Sequence, residues 1–141
     1  MKLNHWMIVA AFLAFAFGSG FLFIPAQMMD IFGVSSNSNE VVLYMDRMFG
    51  AAILGLGGMA WMAKGLPESK ALRAIVLSLF IYFTFGSIST LFFGLQGIAN
   101  FMIWFVLGFH IPLAIALGYF LLVGQWDTSA CNTKEKVSQG G

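Results

Sequence analysis

Charge is scarce in this chain. Only 9% of its 141 residues are Asp, Glu, Lys or Arg. A water-soluble domain carries roughly 25%, because its surface faces water. Most of this surface must therefore face something else. Cysteine occurs once, as Cys131, which excludes an intrachain disulfide and a cysteine-built metal cage. Cys131 lies in a polar tail and reads as a solvated thiol, with palmitoylation near a helix end as the alternative. The net charge is +1 and no basic stripe is present, so a nucleic-acid footprint is excluded. The sequence holds no P-loop, no G-x-S-x-G, no H-E-x-x-H and no dinucleotide fingerprint. It also lacks the Glu-x-x-His pattern of a di-iron bundle. Ser87, Ser89 and Thr90 cluster without a nearby acid or base, which disfavours a nucleophile. Inverted repeats with paired broken helices, the mark of many transporters, are missing too.

What is present is apolar. Apolar residues make up 60% of the chain, with sixteen Phe and nine Met. A bilayer core about 30 Å thick needs about 20 apolar residues in helix. Four stretches qualify: Trp6 to Ile24, Val41 to Ala63, Leu72 to Phe93 and Phe101 to Gly124. The first is longer than a signal-peptide core and no A-x-A-type site follows it before Pro25, so it reads as a retained helix. The expectation is an all-α, integral membrane four-helix bundle, residues 1–126, followed by a polar cytoplasmic tail, 127–141. Lys2, then Lys64, Lys70 and Arg73, then Lys134 and Lys136 all fall on one side of this even-span topology. The positive-inside rule puts both termini in the cytoplasm, with the plasma (inner) membrane as the expected location. Trp6, Trp61 and Trp126 belong at the cytoplasmic boundary, and Trp104 and Tyr44 near the outer one.

Arg47 stands inside the second apolar run, where a charge costs at least a few kcal/mol unless it snorkels or finds a partner. The segment before that run, Ala26 to Asn39, opens with QMMDIFGV and reads as a short interfacial piece between helices 1 and 2. Asn37 and Glu40 fit an N-capping box, so the helix is expected to start near Ser38. Arg47 then lies roughly 13 Å along the axis, near the outer boundary. Small residues let membrane helices pack closely. The second helix offers Ala51, Gly55 and Gly58 in one stripe, with Arg47 above it, which turns Arg47 towards the bundle and Asp46 about 100° away. The first helix offers Ala10, Ala14 and Gly18; the third Ser78, Tyr82, Gly86 and Thr90; the fourth His110, Ala114 and Gly118. Such seams are helix packing first and a pocket only second.

His110 is mid-span, two residues before Pro112, which frees a carbonyl near residue 108. Three readings compete. His110 is a neutral structural histidine with one hydrogen-bond partner; or it shares a ligand pocket with Arg47, Asp46, Tyr82 and Thr84; or it is an axial ligand to haem or chlorophyll. His5 lies at the opposite boundary and cannot share one iron with it. No metal site is expected otherwise.

FLFIPAQMMDIFG and MDRMFGAAILGLGGMAWMAKG together resemble the DoxX-like small membrane proteins. In that group an R-x-x-G element begins the second helix after a short amphipathic loop, and Arg47 and Gly50 fit it. The resemblance spans Phe21 to Lys64 and implies a four-helix fold. Members range from quinone-linked oxidoreductase subunits to proteins of unknown role. Here the fourth span carries His110 and no acid that would pair with Arg47. The expected function is a non-catalytic accessory or scaffold subunit, or a lipid or small-ligand binder. Its expected partners are the bilayer and other membrane subunits or further copies of itself. The alternatives are a redox component binding quinone near Arg47 and His110, with Arg47 donating to a carbonyl, and a small transporter. No cofactor beyond quinone or lipid is expected.

Overall fold

The computed structural model describes residues 3–34, 40–124 and 126. They form five helices: α1 (Leu3–Phe23), α2 (Pro25–Ile31), α3 (Glu40–Ala63), α4 (Lys70–Leu95) and α5 (Met102–Val123). All but α2 are long and apolar enough to cross a membrane. Their outward side chains are apolar as well, with Leu122 88% exposed and Met62 77% exposed. Water would penalise such a surface and hydrocarbon would not, so this is an integral membrane protein. The expected bundle is what forms, and the interfacial segment is α2. Asn37 of the expected capping box lies outside the described residues.

Local chemistry places the ends. Pro25 has no N–H to continue α1 and instead opens α2. The Ser69 hydroxyl caps α4 by accepting from the Leu72 N–H at 3.2 Å. Pro112 sits within α5 without ending it.

The bundle is built from two antiparallel pairs, α1 with α3 and α4 with α5. The first pair is joined backbone to backbone. A β-carbon at Gly50 would lie 2.5 Å from the Leu22 nitrogen and 2.8 Å from the Gly18 carbonyl oxygen. One at Gly57 would lie 2.9 Å from the Ala14 β-carbon. The second pair rests rings on glycines. A β-carbon at Gly118 would lie 2.9 Å from the Phe80 ring, and one at Gly86 would lie 3.2 Å from the His110 ring.

This corrects the expected phase of α3. Its buried face is Gly50, Ile53, Gly57 and Ala60, one residue earlier than the Ala51, Gly55 and Gly58 stripe. One residue is a rotation of about 100°. Ala51 and Gly55 are exposed, and β-carbons at Gly55 and Gly58 would meet nothing within 4 Å. Arg47 turns outward with them and is exposed, while Asp46 turns inward. The physical reason is contact with α1. The stripe holding Gly50 and Gly57 meets the small residues Gly18 and Ala14, so two backbones approach. Arg47 near a helix end has no need of the interior, because its long stem carries the charge to the headgroups. Of the expected α4 seam, Gly86 packs on the His110 ring, while the phase at Ser78 is corrected. Ser78 is exposed and returns its hydroxyl to the Ala74 carbonyl at 2.9 Å, and the buried face is Leu72, Val76, Leu79 and Phe83. In the expected α1 and α5 seams, Gly18 is buried, and Ala14, Ala114 and Gly118 are half-buried.

The two pairs meet chiefly at one end. There Met7, Ala10 and Ala11 of α1 and Ala60 and Ala63 of α3 pack on Leu72, Val76, Leu113 and Leu117 of α4 and α5. This closed end also gathers Trp6 and Trp126 against the core. Lys64 lies over the Trp61 ring there, 2.8 Å from its centroid. Towards the α2 end the pairs diverge.

A glycine-to-alanine series reads this packing directly. Alanine is favoured over glycine in a helix by about 1 kcal/mol, so an open site gains and a crossing site loses. Gly55→Ala and Gly58→Ala should leave thermal stability unchanged or slightly raised. Gly50→Ala should lower it by about 1–3 kcal/mol, because only backbone stands in the way. Thermal unfolding in one detergent compares the three, and equal midpoints would contradict the assigned face.

Candidate functional site

Where the pairs diverge they leave a half-open cavity of about 650 Å³. Its position follows from residue size. Alanines and glycine draw α1 and α3 together, while phenylalanines at the α2 end hold α4 and α5 away. Phe17 and Phe21 of α1 and Phe49 and Ile53 of α3 form one wall. Phe83, Phe93 and Phe109 belong to the facing wall on α4 and α5.

A lid covers this end. Met29 of α2, with Phe32 and Val34 after it, lines the cavity. The Phe32 ring stacks on Phe21 with centroids 6.2 Å apart and planes 3° from parallel, and on Phe17 at 6.5 Å. Phe21 in turn meets Phe49 edge-on at 5.6 Å. The lid is tied to the α4–α5 connection through Asn100. Its backbone N–H donates to the Phe32 carbonyl at 2.8 Å, and its side-chain amide donates to the Ile31 carbonyl at 2.8 Å. Its side-chain oxygen accepts from the Met102 N–H at 2.9 Å, which starts α5. Gly33 turns the chain at φ 75°, against the Asn100 side chain, a conformation glycine adopts without strain.

Four polar side chains line the cavity: Asp46, Tyr82, Ser89 and His110. Asp46 is its sole charged lining residue among those described. The Asp46 Oδ2 is buried and has no hydrogen-bond partner. The His110 Nδ1 lies 2.9 Å from the Val106 carbonyl oxygen. A carbonyl only accepts, so Nδ1 carries the proton and Nε2 of the neutral ring is an acceptor. The bond goes to Val106, one helical turn back, and not to the carbonyl near residue 108 that Pro112 was expected to free. The ring packs between Phe83, centroids 5.3 Å apart, and Tyr82, at 6.1 Å.

Of the five residues grouped from the sequence, Asp46, Tyr82 and His110 come together on the cavity. Arg47 does not. It is exposed on the other face of α3 and makes no ion pair or hydrogen bond among the described residues. Thr84 has a buried hydroxyl without a partner and is not part of the lining. Sequence reasoning missed Asn100 altogether and gave Ser89 no place in the site. A lone Asn ahead of an apolar run was the one signal for Asn100, since such residues often bond the start of a helix. No group of three His, Cys, Asp or Glu side chains gathers among the described residues. No family model matches the chain, and no curated protein and no solved structure matches it.

Removing the Asn100 side chain should loosen the lid. Each lost hydrogen bond is worth about 1 kcal/mol. In Asn100→Ala, amides of residues 28–34 should exchange with deuterium several-fold faster, while those of α5 beyond its first two turns stay at the wild-type rate. Uniform protection in both proteins would show that the lid is held by its apolar contacts alone.

Proposed function

We propose that this protein is a membrane-embedded binder of an apolar small molecule or lipid chain, held in the cavity between the two helix pairs beneath α2. The observation that carries the reading is the cavity itself. Ligand sites are concave, mostly apolar, roughly 300–1,000 Å³ in volume and furnished with a few convergent polar groups. The volume here falls in that range. The lining is almost wholly apolar, so the space is unfavourable for water and suited to a hydrocarbon chain or ring. Walls of this shape are favourable when something apolar fills them.

Arg47 does not join this site. The guanidinium expected to donate to a quinone carbonyl lies on the opposite face of α3 from the cavity. This favours simple binding over quinone chemistry at Arg47.

The orientation we infer follows from charge. Lys64, Lys70 and Arg73 lie in or beside the α3–α4 connection, at the closed end. In sequence Lys2 precedes α1, and Lys134 and Lys136 follow α5. All six fall on one side, so the closed end is cytoplasmic and the lid faces outward.

Two measurements check these points. A neutral fluorescent apolar probe, N-phenyl-1-naphthylamine, should bind the protein in phosphatidylcholine nanodiscs. Ser89→Trp, which fills the cavity, should weaken it at least ten-fold. Phe12→Trp, on the lipid-facing side and 72% exposed, should leave it unchanged. Equal affinity in all three would remove the cavity as the site. For orientation, Cys131 is the chain's single thiol. It should react with a membrane-impermeant maleimide only after cells are permeabilised, and labelling of intact cells would reverse the assignment.

A further inference from the structure

We propose that the occupant of the cavity is a lipophilic organic cation, with Asp46 as its counter-charge. This rests on the binding reading above and adds the chemical class of the ligand. Asp46 brings a carboxylate to a lining that offers no Lys or Arg among the described residues. Its Oδ2 is buried and unpartnered. Arg47, the adjacent residue, leaves α3 about 100° round and is exposed, so it does not neutralise Asp46 from within the cavity.

The remaining polar groups agree in sense. The His110 Nδ1 is committed to the Val106 carbonyl, which leaves the acceptor Nε2. The Tyr82 and Ser89 hydroxyls can accept as well as donate, so the lining holds one carboxylate and no group that only donates. An anion would be repelled. A neutral hydrocarbon would leave the Asp46 Oδ2 without a partner. A bare metal ion would find one carboxylate, and Ca²⁺ or Mg²⁺ needs about six oxygen ligands. A large cation with apolar substituents satisfies both the charge and the walls. Phe17, Phe21, Phe32 and Phe49 present rings to the same space, and ring faces attract desolvated cations.

The test compares probes of one shape and opposite charge. Tetraphenylphosphonium and tetraphenylborate are near-isosteric, and each is titrated into the protein in zwitterionic phosphatidylcholine nanodiscs beside the neutral naphthylamine. The wild type should bind the phosphonium at least ten-fold more tightly than the borate. Asp46→Asn should lose at least ten-fold in phosphonium affinity and keep its naphthylamine affinity within two-fold, and Asp46→Glu should restore phosphonium binding. Naphthylamine binding also reports that each variant is folded. If the borate binds the wild type as well as the phosphonium does, or if Asp46→Asn keeps phosphonium affinity, the cation is overturned while the binding reading stands. If none of the three probes binds the wild type, both are overturned.

Discussion

The contact between α1 and α3 at Gly18 and Gly50 governs the rest of this molecule. Two helix backbones approach there so closely that no β-carbon fits at Gly50 without moving the Leu22 nitrogen or the Gly18 carbonyl. Lipid is as apolar as leucine, so burial gives membrane helices little reason to associate, and close packing has to supply it. Once Gly50 faces α1, helix geometry decides its neighbours. Asp46, one turn earlier, must point into the bundle, and Arg47 must leave it. The chemistry of the cavity is set by that one packing choice.

The same economy of size explains the asymmetry of the bundle. Where alanines face one another at the closed end, Leu72, Val76, Leu113 and Leu117 fill the remaining space and the core is continuous. Where phenylalanines replace them, the rings hold the two pairs apart. The gap between them is the cavity. The lid packs further rings there, Phe32 on Phe17 and Phe21, and is tied by two hydrogen bonds from Asn100 to the Phe32 and Ile31 carbonyls. The continuous core and the cavity thus lie at opposite ends of one bundle.

Electrostatically, the cavity is the inverse of what Arg47 suggested. A site built around an arginine would offer donors and would favour carbonyls or anions. Asp46 and the His110 Nε2 offer acceptors. The wall chemistry is compatible with that sign, because phenylalanine faces are electron-rich. Arg47 is exposed on the other face of α3.

Length, membrane character and helix limits were legible in the residues. Val41–Ala63 was expected where Glu40–Ala63 forms, and Phe101–Gly124 where Met102–Val123 forms, because hydropathy and turn residues act locally. The interfacial α2 was legible for the same reason. The phase of α3 was not. Its run GAAILGLGGMA carries two interleaved small-residue stripes, and either could face a neighbour. Choosing between them requires knowing which stripe meets Gly18 and Ala14 across the bundle, and that contact joins positions more than 30 apart in sequence. The tie from Asn100 to the Ile31 carbonyl spans 69 residues and left no local pattern. The sequence by itself determined four membrane helices, their ends and the supply of small residues that lets them pack. Only the tertiary structure decided that Asp46 and not Arg47 faces inward, and that the bundle opens at one end, because both depend on which surfaces approach.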